Sequence, residues 1–369
     1  MAEGKARESG ETYAQRSVRH CLDMIAPFEA AMPQTEEGQW QFYQFMVSLY
    51  REMYRDPEKY RVFPKPYEEY IAKRKDQEVQ KQKEKEHEND PKESTLRNTF
   101  QQAIQFYAVY LYQIGLRSRG LDERSGEMIL KKEDYFDIRN QMNRFHDAKY
   151  NGERYEVLSE LGIQVCDDGD IVRIVHREDR RMMEGIAYLC NAPDSKYKWM
   201  NFVRLDFKNA YAPIPTVDDI CKTLPARSTE AVKKLEDNLA GMKIKAKIKP
   251  LKGIVSDFRW KVEYVYKGKN ICGFYADNES FMLCIYFNHF ENINEFAKVL
   301  QEENGDLFQW FKNQFPERLC KCPSNRRVFF GGEARRICGL SNRAEIVNPD
   351  GEDMEKALYL LRKYRKIDL

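Results

Sequence analysis

The chain has 369 residues, 42% hydrophobic and 13% aromatic, enough for two or three domains that each bury a core. Lys and Arg number 61 against 59 Asp and Glu, a formal net charge of +2, which excludes a surface built to coat a polyanion but leaves room for a local basic face. The first thirty residues lack the apolar core of a secretory signal, and no later run approaches the roughly 18 apolar residues of a membrane span, so a soluble, cytoplasmic protein without a membrane partner is expected.

Along the chain, QWQFYQFMVSLYREMYR (39–55) is apolar at helical spacing over a wide stripe, which predicts a helix covered on more than one side. Pro57, Pro64 and Pro66 break that pattern. The Lys/Glu-rich run over about 68–90 reads as a solvated charged arm. Asp90-Pro91-Lys92-Glu93 carries helix-start chemistry, and Leu96, Phe100, Ile104, Tyr107, Leu111 and Ile114 form the stripe that follows. Residues 1–119 are thus expected to be a helical unit.

The second region, 120–226, changes character. EDYFDIRNQMNRFHD and NGERYEVLSEL predict two short helices, and IQVC-DDGD-IVRIV predicts a hairpin, the order of a winged-helix module. Its second helix carries one Arg against three Glu, and its wing tip is Asp167-Asp168-Gly169-Asp170, so base reading is not expected of it. A helix is expected near 178–190, KWMNFVRLDF reads as extended, and Thr216 opens a further helix.

In the third region, 227–369, Val232, Leu235, Leu239 and Met242 mark a helix, and the Lys/apolar alternation of 243–249 a strand with one wet face. WKVEYVY, ICGFYA and FMLCIYF, separated by turn residues, predict a three-stranded antiparallel meander. Helical sequence follows over about 292–314, then a strand near 345–347, and Asn348-Pro349-Asp350 introduces a last helix with Met354, Leu358, Leu361 and Tyr364 inward. The expected fold class is α+β: a helical unit, a winged-helix-like middle region and an antiparallel sheet with flanking helices.

Phosphate-loop, dinucleotide-binding, nucleophile-elbow and H-E-x-x-H motifs are missing from the sequence, so no reaction is assigned and an enzyme is neither implied nor excluded. The stretch RLCKCPSNRRVFFGGEARRICG (318–339) is the densest in chemistry. Cys320, Cys322 and Cys338 suit structural thiols better than zinc, because C-x-C with one distant cysteine departs from the C-x-x-C knuckle; zinc is the one cofactor worth considering. Most other cysteines of the nine sit in apolar runs, which predicts reduced, buried thiols.

Arg326, Arg327, Arg335 and Arg336 can hold an anion, with Phe329 and Phe330 between them as stacking rings. From Lys243 to Leu369 there are 23 Lys and Arg against 17 Asp and Glu, which favours an anionic partner. Trp260, Tyr264 and Tyr275, with Tyr266, Phe274 and Tyr286, are candidates for an aromatic wall on the sheet. Of five histidines only His289, after FMLCIYFN, is placed to enter a pocket; His146 and His176 are expected at the surface.

From about Lys131 onward, KYNGERYEVLSELGI, KYKWMNFVRLDF, W-x-V-x-Y-x-Y-K-G-K at 260–269 and the cysteine-bearing stretch with its Asn-Pro-Asp helix start resemble bacterial proteins classed as domains of unknown function. The resemblance implies a bacterial source and carries no activity. The meander with its following helices is similar in architecture to small-molecule-sensing domains of bacterial regulators. The leading expectation is therefore a ligand-binding or regulatory protein that holds a small or anionic ligand on the sheet. An enzyme using His289 and the three cysteines, and a nucleic-acid-associated protein, are the alternatives; the sequence leaves the oligomeric state open.

Overall fold

The computed structural model describes residues 10–62, 93–122, 124–144, 147–212, 215–240, 244, 246–250, 258–266, 268–277, 280–287, 290–315, 326–337 and 342–367. Within them the protein is α+β, with twelve α-helices and eleven strands. Two compact units divide it, one from the described residues up to 212 and one from those after 214.

The first unit contains α1 (Tyr13–Met24), α2 (Glu36–Arg55), α3 (Glu93–Arg117), β1 (Gly120–Asp122), β2 (Glu127–Lys131), α4 (Lys132–Met142), α5 (Asn151–Glu160), β3 (Ile163–Asp168), β4 (Ile171–His176), α6 (Met182–Asn191) and α7 (Lys198–Val203). Thr12 starts α1 with a reciprocal cap: its hydroxyl accepts from the Gln15 amide at 3.1 Å and its own amide donates to the Gln15 side chain at 2.9 Å. As its wide stripe requires, α2 is covered on more than one side, with Phe42, Phe45, Met46, Leu49, Tyr50 and Met53 all buried, while Trp40, Gln44, Ser48 and Arg51 line an exposed face. It crosses α6 glycine to glycine, since a Cβ on Gly185 would lie 2.5 Å from the Gly38 carbonyl oxygen. One core joins this helical part to Met128, Leu130, Ile138, Val157, Leu158, Val172 and Ile174, so the residues on either side of position 119 pack together.

The sheet of this unit has the order β1-β2-β4-β3, antiparallel throughout, with Leu130 opposite Val172 and Val165 opposite Ile174. A helix, the β1–β2 strand pair, two helices and a hairpin thus follow one another from α3 to β4. Two sequence expectations are corrected here. KWMNFVRLDF is not extended: Lys198–Val203 is helical, because that turn sets the Trp199 ring 4.9 Å from Tyr112 while burying Met200, Phe202 and Val203. His176 is not at the surface: only 5% exposed, it accepts from the Asp179 amide at Nδ1 (2.8 Å), so the proton sits on Nε2, which donates to the Leu161 carbonyl at 2.8 Å.

The second unit contains α8 (Val217–Cys221), α9 (Ala226–Ala240), β5 (Ala246–Pro250), β6 (Trp260–Tyr266), β7 (Lys269–Asp277), β8 (Ser280–Tyr286), α10 (Phe290–Glu303), α11 (Gly305–Asn313), β9 (Arg326–Phe330), β10 (Glu333–Ile337), β11 (Arg343–Val347) and α12 (Gly351–Ile367). The meander is the centre of a five-stranded antiparallel sheet ordered β11-β8-β7-β6-β5. Asn304 divides the helical stretch in two by accepting from the Leu307 amide at 2.9 Å, which starts α11. Before α12, Asp350 accepts from the Asp353 amide at 2.8 Å and Asp353 returns the bond at 3.1 Å. Met354, Leu358 and Leu361 are buried as the pattern predicts.

Candidate ligand site on the second sheet

Strand pairing decides which residues of the second sheet share a face. Tyr275 stands opposite Lys261, Phe274 opposite Val262, Cys284 opposite both Gly273 and Glu345, and Tyr286 opposite Arg343. Because side chains alternate, Val262, Tyr264, Cys272, Phe274, Leu283, Ile285, Ala344 and Ile346 occupy one face, all but unexposed. The Tyr264 hydroxyl on that face bonds the Glu236 carboxylate of α9, so α9 packs on it.

The other face is polar at its centre. Gly273 and the fully buried Cys284 make a floor with almost no side-chain height. Lys261, Glu263 and Tyr275 rise on one side of it, and Tyr286, Arg343 and Glu345 on the other. The Arg343 guanidinium donates to the Tyr275 hydroxyl at 2.6 Å and to Glu345 at 2.8 Å. It also lies 4.8 Å from the Tyr275 ring centroid and 6.0 Å from that of Tyr286. The Lys261 ammonium is 5.4 and 5.9 Å from the same two rings and 2.6 Å from Glu263, which Lys249 also reaches at 2.5 Å.

The electrostatics follow from these contacts. Burial works against the Glu263 carboxylate, but hydrogen bonds from Lys249 and Lys261 outweigh it and hold its pKa below the ordinary value. Burial raises the Tyr286 phenol well above its usual range, with Cys284 and Tyr275 adding to the effect, so it stays a neutral donor. That hydroxyl is buried without a hydrogen bond of standard geometry. The Tyr275 hydroxyl accepts from Arg343 and lies within hydrogen-bonding reach of Tyr286 and Lys261. Donors from Lys261, Tyr275 and Tyr286 therefore converge beside a guanidinium, an arrangement that suits a carboxylate or phosphate.

The candidates named from sequence fall in several places. Tyr275 is in this cluster, while Trp260 and Tyr264 belong to the opposite, packed face. The four arginines sit on the separate β9–β10 hairpin. Arg335 donates to the Lys312 and Phe315 carbonyls at 2.7 and 3.4 Å, a cation at the end of α11. Arg327 and Arg336 face each other on the hairpin's outer side, and Arg326 pairs with Ile337 in the strand register. Cys320, Cys322, Cys338, His146 and His289 lie outside the described residues, as does the charged arm.

Among the described residues no three His, Cys, Asp or Glu side chains are grouped to hold a metal, and no helix is long and apolar enough to cross a membrane. Sequence reasoning passed over Lys261, Glu263, Arg343 and Glu345. Their signal is charge at alternate positions inside apolar strands, WKVEYV and RAEIV, which marks a polar strip on one face.

Two other polar features are less suited to a ligand. A pocket of about 320 Å³ is lined by Arg117, Asp137, Asn140, Gln141 and Arg144, but Arg117 already meets Asp137 at 3.6 Å and Gln141 at 3.4 Å. Arg154 of α5 has no exposed surface and leaves two guanidinium nitrogens without partners, stacked 5.1 Å from the Phe106 ring within the core. Comparison with family models, curated proteins and solved structures found no match to the chain.

Proposed function

We propose that the protein is a cytoplasmic bacterial regulator whose second sheet binds a small anionic ligand between Lys261, Tyr275, Tyr286 and Arg343. The observation that carries this reading is the convergence of two cations and two phenols over the Gly273/Cys284 floor, with the Tyr286 hydroxyl buried beside Tyr275 and without a hydrogen bond of standard geometry. A ligand carboxylate or phosphate supplies Tyr286 with a well-aligned acceptor and lies against the aromatic rings. No reaction is assigned to it.

The first unit is the regulatory half of the reading. Its order from α3 to β4, with the strand sequence β2-β4-β3, supports a winged-helix-like module. The outward residues of α5 are Gly152, Glu156, Ser159 and Glu160, and the wing carboxylates Asp167 and Asp168 are tied to Lys132 and Arg173 at 2.7 and 3.1 Å. Such a surface repels phosphates, so this module acts through protein contacts rather than base reading.

The test is thermal melting of the full chain against a panel of small carboxylates and phosphates. At least one is expected to raise the melting temperature, and Tyr286→Phe to abolish that shift while leaving the unliganded melt within about 1 kcal/mol of the parent. A panel without effect, or a shift that survives Tyr286→Phe and Lys261→Met alike, rejects the site.

A further inference from the structure

The outer side of the β9–β10 hairpin takes no part in the sheet site, and its geometry poses a separate question. Register sets Arg327 opposite Arg336 and Phe329 opposite Ala334, so these four share one face. The inner face packs: Val328, Phe330 and Ile337 are buried, and the Phe330 ring is 5.2 Å from Phe315 and 6.0 Å from Phe311. Phe329, one residue before a fully packed phenylalanine, is 54% exposed. Its backbone is fixed all the same, because its amide donates to the Asn294 side chain of α10 at 2.9 Å.

Charge completes the picture. Two arginines directly opposite on a strand pair repel each other, and the only carboxylate of 318–339, Glu333, is held by Lys312 and by Arg335 at 3.0 Å. The exposed Arg327 side chain has no ion pair or hydrogen bond among the described residues, whereas Arg336 is half-buried and has a contact of its own. At the tip Gly331 and Gly332 take φ of +56° and +91°, so no side chain screens the approach. Phe136, exposed to the same degree on α4, has Glu133 and Asp137 as its helical neighbours and lacks this character.

We propose that the outer hairpin face is a binding platform for single-stranded nucleic acid, with an unpaired base stacked on Phe329 and the flanking phosphates held by Arg327 and Arg336. An exposed ring between cations matches a chain that alternates flat bases with anionic links. A duplex has no free base face to offer it. This proposal is independent of the sheet site.

The experiment is fluorescence anisotropy of a labelled 12-nucleotide oligo-dT with the full chain, at several salt concentrations. Binding is expected at low salt. Phe329→Ala should weaken it about fivefold or more, a loss of the order of one stacked base, with Phe329→Trp retaining affinity. Arg327→Ala with Arg336→Ala should reduce the salt slope by about 1.4, two phosphates' worth on a single strand. Because Phe329 and Arg327 are exposed, the melts of the Phe329 variants and of Arg327→Ala alone should match the parent's. Absence of binding at low salt, affinity indifferent to Phe329→Ala, or duplex of the same length bound equally well would each overturn the proposal.

Discussion

At Gly162 a single hydrogen in place of a side chain decides whether the first unit closes. Its φ of +104° suits glycine, and a Cβ there would stand 2.5 Å from Nε2 of His176. Gly162→Ala is therefore expected to cost about 1–3 kcal/mol of backbone strain, and roughly 1 kcal/mol more from the displaced histidine bond to Leu161. Urea unfolding of the variant measures this; an unchanged midpoint contradicts the packing. The cysteines give a second residue-scale outcome. Burial pushes the Cys21 and Cys190 thiols up to about 12, whereas Cys166 lies exposed on β3. In the native chain a maleimide should label Cys166 rapidly and Cys21 and Cys190 only on unfolding. Peptide mapping of the labelled sites checks it, and early label on Cys21 would refute it.

Among the elements, the hairpin shows how similar residues do different work. Arg335 holds the carbonyls at the end of α11 and the Arg327 side chain has no partner among the described residues, so Arg335→Ala should lower stability by about 1–2 kcal/mol and Arg327→Ala by less than about 0.5 kcal/mol. Equal losses in denaturant titrations would remove the distinction. The meander, the stripe through Ile104, Tyr107, Leu111 and Ile114, and the capped start of α12 were legible, because each is a local pattern reinforced by its own turn or cap. KWMNFVRLDF was not, since its apolar residues fit a strand or a helical turn, and contact with Tyr112 decides between them. The face of Tyr275 was illegible for a related reason. Alternation groups Trp260, Val262 and Tyr264 within β6, but only the register, shifted at Tyr264/Val265, sets Tyr275 beside Lys261. The site is therefore assembled by pairing between strands, which leaves only scattered charges in the sequence.

For the whole molecule, near-zero net charge conceals unequal parts. The first unit presents carboxylates on α5 and the β3–β4 hairpin, while the second sets Lys261 and Arg343 among carboxylates on a sheet face and Arg327 and Arg336 on a hairpin. Acid should act on the second unit through Glu263. Its folded pKa lies below the unfolded value, so the stability it contributes is complete above about pH 4.3 and is lost as pH falls through the lower folded value. Glu263→Gln should flatten the acid limb of the stability curve; an unchanged limb would show that the two lysines do not hold the carboxylate. An anion bound as proposed on the second sheet would lie beside Met282. Met282 faces Tyr275 across the β7–β8 pair on the polar side of the sheet, whereas Met46 and Met53 lie in the core of the other unit. The measurement to make is methyl NMR of the full chain during titration with the anion that most raises its melting temperature. The Met282 signal should move with saturation while those of Met46 and Met53 stay fixed. A saturating titration that leaves Met282 unmoved contradicts the site.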